Sequence, residues 1–183
     1  MLRSHIMRLG LAILSLLCGC LLSATTLEKL SVEDMSQKST LIVRGRIGGC
    51  AGEQRGSMIY TRCRINVSER WKGAAGNQVE FLIPGGAARG LVQTFIGTPK
   101  FNAGAEYVLF LWSGRSGNLQ VIGLSQGAFD VKVNGKGDAT AKRDATTDMM
   151  LDAAGRPVRD EGVEMSVTAL RHRVAQSIGG ASK

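Results

Sequence analysis

The sequence predicts a mainly β protein, a small antiparallel barrel with a helix at each end of the chain. Three observations predict it. Met58 to Gly73 alternates apolar and polar residues with a period of two, the mark of a strand with one buried and one wetted face. About six short runs rich in β-branched or aromatic residues follow one another between Gly-rich turns. Helical signals are confined to Thr25–Ser39 and Ser166–Ile178.

The first two dozen residues read as a targeting segment. Arg3 and Arg8 make a positive start, Leu9 to Leu17 an apolar run, and Leu22-Ser23-Ala24 a small-residue cut before Thr25. The run is too short for a transmembrane helix, and no later stretch approaches the roughly 20 apolar residues one needs. The chain therefore divides into a signal peptide over 1–24 and one domain over 25–183. That domain is long enough to bury a core, and it is expected in the periplasm or outside the cell. A second route stays open. Leu16-Leu17-Cys18-Gly19-Cys20 has the pattern of a lipoprotein signal, in which Cys20 takes the lipid and ties the protein to a membrane.

Cleavage after Ala24 leaves Cys50 and Cys63. Two cysteines in an oxidising compartment, flanking a Gly-rich turn, read as one disulfide across a hairpin; two unpaired buried thiols are the alternative. The formal net charge is +8, and losing Arg3 and Arg8 leaves 21 basic against 15 acidic side chains. Such a surface favours anionic partners such as phospholipid headgroups or wall polymers.

Along the chain, Ser31 is placed to cap a helix with Glu33 and Asp34 in its first turn and Leu27, Leu30 and Met35 as its apolar edge. Thr40 to Ile47 is a strand, after which Gly48-Gly49 invites a bulge. The bulge is needed: without it Cys50 has the wrong parity to meet Cys63. Ala51 to Ser57 reads as a polar turn. On the long strand that follows, Ile59, Thr61, Cys63, Ile65, Val67 and Trp71 share one side. Gln78 to Ile83 is the next strand, ended by Pro84-Gly85-Gly86. Ala87 to Lys100 is irregular, with a short strand at Leu91 to Ile96. Tyr107 to Trp112 is apolar on both parities, as a strand enclosed on both faces must be. Leu119–Leu124 and Ala128–Val133 are further strands, and Asn134-Gly135 is a hairpin signal leading to Ala139–Lys142. Asp152 to Arg156 turns another hairpin. Ser166 caps the last helix, with Val167, Leu170, Val174 and Ile178 as its stripe.

STLIVRGRI, IYTRCRINVSERWKG, VEFLIPGG and GAEYVLFL, taken together, resemble the N-terminal inhibitory domain of the tissue inhibitors of metalloproteinases and the related netrin-like modules. They also resemble a group of uncharacterised bacterial secreted proteins with the same strand order. The resemblance runs from Ser39 to about Asp130 and implies a five-stranded OB-like barrel. It does not carry the inhibitory mechanism over. Those inhibitors chelate zinc through a mature N-terminal Cys-x-Cys, and the pair here, Cys18-Gly19-Cys20, falls inside the targeting segment.

Chemistry has few candidates. His5 goes with the signal, leaving His172 between Arg171 and Arg173, so neither a zinc site of Cys and His nor a Ser-His-Asp triad can be assembled. Glu69, Glu80 and Glu106 are the strand-borne carboxylates available for acid–base work. Asp144, Asp148, Asp152 and Asp160 lack the EF-hand spacing. Gly85, Gly86, Gly90, Gly97 and Gly104 form no phosphate-cradling motif. The candidate binding surface is basic: Arg44, Arg46, Arg62, Arg64 and Arg70, with Tyr60 among them, lie on the polar parities of two adjacent strands and together suit phosphate or carboxylate groups. The expectation is an exported, non-enzymatic binding or interaction module with no cofactor and no metal. Its partner is expected to be a protein or an anionic envelope polymer rather than nucleic acid, with membrane contact only through lipid on Cys20. The alternatives are a protease inhibitor, which the resemblance implies, and a hydrolase using strand carboxylates.

Overall fold

The computed structural model describes residues 27–114, 116–146 and 149–180. The segment expected to be a signal, with His5, Cys18, Cys20 and the expected cut after Ala24, lies outside the described residues, as does Asp148. The elements in order are β1 (Leu27–Glu28), α1 (Val32–Lys38), β2 (Leu41–Arg55), β3 (Met58–Lys72), β4 (Gln78–Pro84), β5 (Gly86–Ala88) and β6 (Leu91–Gln93). There follow β7 (Glu106–Ser113), β8 (Leu119–Val121), a 3-10 helix (Leu124–Gly127), β9 (Ala128–Val133), β10 (Ala139–Arg143), β11 (Met150–Leu151), β12 (Pro157–Val158), β13 (Val163–Ser166) and α2 (Val167–Gly180).

The fold is mainly β, built on a sheet in the order β13-β10-β9-β7-β2-β3-β4-β8. β8 also pairs antiparallel with β7, while its bridge to β4, Leu82 to Gln120, is parallel. Each of β7, β2, β3, β4 and β8 is thus bonded to two others of the five. β5 and β6 form a separate hairpin, and β1, β11 and β12 a small third sheet.

The core lies on both faces of β7. Tyr107, Leu109 and Leu111 join Val43, Ile47, Cys63, Ile65 and Phe81 in one cluster, where Phe101 sets its ring edge-on to Phe81 and Tyr107 at 5.3 and 5.0 Å. Val108 and Phe110 join the other, which Met35, Leu170 and Val174 of the two helices cover. Burial on both parities of β7 is what its unbroken apolar run predicts, although the burial ends at Leu111 and Trp112 is 39% exposed. Ser31 caps α1: its hydroxyl accepts from Asp34 N–H, and the Asp34 carboxylate accepts from Ser31 N–H. Lys72 donates to the last-turn carbonyls Ser36 O and Gln37 O at 2.8 and 2.9 Å, a cation where the helix dipole is negative.

Several expectations are corrected. The N-terminal helix starts only at Val32, and Leu27–Glu28 is a strand that pairs with β11. Ala51–Arg55 is strand rather than turn, because its backbone continues the ladder with Met58–Arg62 and leaves only Gly56-Ser57 to turn. The strand expected over Leu91–Ile96 ends at Gln93 and pairs with Gly86–Ala88. Trp71 packs on the helix-side cluster rather than with Val67. Register shifts at Arg44/Gly45 and Ile42/Val43 break the alternation before it reaches Trp71. The 3-10 helix and β13 have no counterpart in the sequence reading.

Candidate functional site

β2 and β3 form the frame. Their register places Ile47 opposite Ile65, then slips at Gly48, then places Cys50 opposite Cys63. The slip is the bulge the cysteines require, and the disulfide Cys50–Cys63 is formed. Beyond it the hairpin runs on to Gly56, tied across its end to the β4–β6 segment.

The arginines predicted to form a basic patch lie largely on one face, but carboxylates are interleaved with them. Arg44 opposes Glu69, and Arg64 opposes Glu80. The Arg44 guanidinium bridges Glu69 and Glu106, each at 2.7 Å, with its side chain only 18% exposed. Arg46 approaches Glu106 at 3.9 Å. Arg62 joins Glu53 at 2.8 Å and Glu80 at 3.0 Å, and Arg64 shares Glu80 at 3.4 Å. Tyr60, opposite Glu53, is half-buried beside them. Arg70 leaves the group: it registers against core residue Val43 and donates to Ala75 O and Asn77 Oδ1 in the following turn. The result is a charge-alternating face rather than a bare basic one, where an anion would compete with carboxylates already paired to the arginines.

The carboxylates respond accordingly. Burial opposes ionisation of Glu69, yet hydrogen bonds from the Trp71 indole and Arg44, with the charges of Arg44 and Arg171, hold it below the usual carboxylate range. The Arg62 hydrogen bond does the same for Glu53. Glu69 and Glu106, two of the three strand carboxylates considered for acid–base work, do meet, but on Arg44. Both accept from the one guanidinium as its ion-pair partners. His172 is exposed on α2. Among the described residues no group of three or more His, Cys, Asp or Glu is placed to hold a metal. Of the aspartates, Asp160 is buried in a two-bond pair with Arg143, and Asp152 accepts from Ala154 N–H and Arg156 N–H in its turn.

The site that composition does not reveal lies beside the disulfide. A cleft of about 340 Å³ is lined by Cys50, Ile83, Val92, Phe95, Pro99 and Phe101, among others, with Lys100 as its charged residue. Its wall is pressed onto the long hairpin. Thr61 Oγ donates to Gly85 O at 2.8 Å, Ile59 N–H donates to Gln93 Oε1 at 2.7 Å, and Gly85 N–H donates to Ile59 O at 2.8 Å. Two glycines permit the approach: a Cβ on Gly52 would lie 1.8 Å from Ala87 O, and one on Gly86 2.2 Å from Thr61 Oγ. The hairpin so held exposes apolar side chains: Val92 is 77% exposed, and Ile96 in the next turn 75%. Leu91 is exposed beside them. Apolar residues in a Gly-punctuated segment were legible in the sequence, but not that they face outward.

No helix among the described residues is long and apolar enough to cross a membrane. No protein family matches the chain, and no curated protein does.

Proposed function

We propose that the protein is an exported, non-enzymatic binding module whose contact surface is the apolar cleft beside the disulfide, with the exposed Leu91, Val92 and Ile96 of the segment that lines it. One observation carries this reading. An apolar surface is built on a segment that three hydrogen bonds and two Cβ-free contacts fix to a disulfide-stapled hairpin. Exposed aliphatic side chains that the fold holds out, when it has two core clusters to fold them into, fit an interaction site. The scaffold is read as an OB-like barrel. The pairing order β7–β2–β3–β4–β8–β7, with β4 and β8 parallel, supports that reading.

The test is a photoreactive residue at position 92 and, separately, at position 64 on the charged face, in cells exporting the full chain. A discrete adduct from position 92 and none from position 64 is expected. The reverse pattern would return the function to the arginine face. Intact mass and N-terminal sequencing of the recovered protein report export directly: the expected product begins at Thr25, or carries lipid on Cys20.

A further inference from the structure

We propose that the β5–β6 hairpin and the turn at Ile96 dock the protein on an anionic phospholipid surface. This names the partner of the binding site read above and rests on that reading. The hairpin closes through the pair Ala88–Leu91 around Arg89-Gly90, both with positive φ, 52° and 75°. Such a two-residue turn takes Asn or Gly with the least strain. An arginine held there at some conformational expense places a permanent cation at the apex of an apolar hairpin. The residues of the turn stand in open space: a Cβ on Gly90 would meet nothing within 4 Å.

Charge points to the same partner. From Phe81 to Ala105 the chain carries no Asp or Glu and two cations, Arg89 and Lys100. Both are exposed, and neither has an ion-pair partner among the described residues. On the neighbouring face Arg44, Arg46, Arg55, Arg62 and Arg64 each have one. Two adjacent turns, with Leu91, Val92 and Ile96 protruding between two unmatched cations, match a headgroup layer. The aliphatic groups enter the acyl boundary while the long cationic side chains reach the phosphates. A protein partner is the poorer match, because its interface asks for a polar rim that can exchange hydrogen bonds. Here the hairpin offers Ala87, Ala88, Gly90, Leu91 and Val92, and the Gln93 amide is already engaged with Ile59 and Met58.

The experiment is co-sedimentation of the exported, disulfide-bonded protein with vesicles of phosphatidylcholine alone or mixed with phosphatidylglycerol. Binding to the mixed vesicles, weakened by salt, is expected. Val92→Asp with Ile96→Asp lowers it about tenfold or more, and Arg89→Gln lowers it about fivefold. Far-UV circular dichroism checks that each variant keeps its fold. An environment-sensitive dye at position 92 shifts to the blue on vesicles, and one at position 64 does not. No binding to mixed vesicles, or binding that survives V92D/I96D, overturns the proposal. The same protein is also tested against a library of apolar, acidic peptides. Peptide binding lost in V92D/I96D without vesicle binding overturns the lipid assignment and keeps the binding-module reading. Failure with both, and no adduct from position 92, removes both.

Discussion

On the outer face of β2, β3 and β4, Arg44, Arg46, Arg62 and Arg64 stand among Glu53, Glu69, Glu80 and Glu106, and every one of these cations has a carboxylate within 4 Å. In the segment from Phe81 to Ala105, Arg89 and Lys100 have none among the described residues, and Leu91, Val92 and Ile96, which fall between them in the chain, are exposed. The first region has more charge and less to offer a ligand; the second has little charge, all of it unmatched. Counting arginines points to the first as a binding surface, whereas counting unsatisfied groups points to the second, the surface proposed above. What a surface can bind depends on what its groups still lack. The more deeply a charge is matched, the more its removal should cost.

The largest effect belongs to the most buried match. Arg143 and Asp160 are 5% and 1% exposed and joined by two bonds, so Asp160→Asn leaves a buried guanidinium without its counter-charge and should cost about 3–5 kcal/mol in chemical unfolding. The pair also sets a pH dependence. Burial opposes ionisation of Asp160, but the Arg143 hydrogen bond and the Thr146 amide outweigh it and hold the carboxyl below its ordinary 3.8. A depressed folded pKa gives stability that is complete above the unfolded value and lost as pH falls through the folded one. The stability of the native protein should therefore fall below about pH 4, and that of Asp160→Asn should fall less over the same range. An equal fall in both would show that Asp160 is not the group responsible.

Replacing Cys50 and Cys63 by Ser should lower stability by about 3 kcal/mol, from the loop the bond closes. It should also weaken whatever the cleft binds, since Cys50 lines it and the cleft wall leans on the hairpin the bond staples. Unchanged binding in the double variant would mean that the ladder alone holds the wall. Arg44→Met is expected to cost about 2 kcal/mol, because it leaves Glu69 and Glu106 facing each other without the cation between them. Its effect should shrink when either glutamate is made Gln as well; additive losses would mean that the pairs are independent.

Much of the scaffold is legible in the sequence. The alternation of Met58–Lys72, the bulge at Gly48-Gly49 demanded by two cysteines of opposite parity, the cap at Ser31 and the hairpin at Asn134-Gly135 all rest on interactions between near neighbours. What was not legible depends on distant ones. Glu106 meets Arg44 across 62 positions, and nothing in either strand's own pattern announces it. Ala51–Arg55 is the exception: its ladder partners, Met58–Arg62, follow directly in the chain, and its polar composition masks them. Gln126, 1% exposed, accepts from Leu30 N–H and donates to Glu28 O, fastening the N-terminal segment from nearly a hundred positions away. The cleft is the extreme case. Leu91, Val92 and Ile96 carry the residue types of a core, and their own pattern does not announce the contacts, through Gly52, Ile59, Thr61 and Gly86, that fix the segment to the hairpin.

The smallest expected effect on stability is therefore the most discriminating. Val92→Asp with Ile96→Asp changes two side chains about three-quarters exposed, both outside the two core clusters. Surface changes of this kind usually move stability by no more than about 0.5 kcal/mol. If the segment is a binding surface, the midpoint of denaturation should hardly move while ligand contact at position 92 is lost. If these side chains instead fold back onto the cleft in solution, two buried carboxylates would be costly, and the midpoint should fall together with the protein's yield. A loss of stability well above that bound would thus show that this region obeys the same rule as the charged face, with its groups matched from within and little left for a partner.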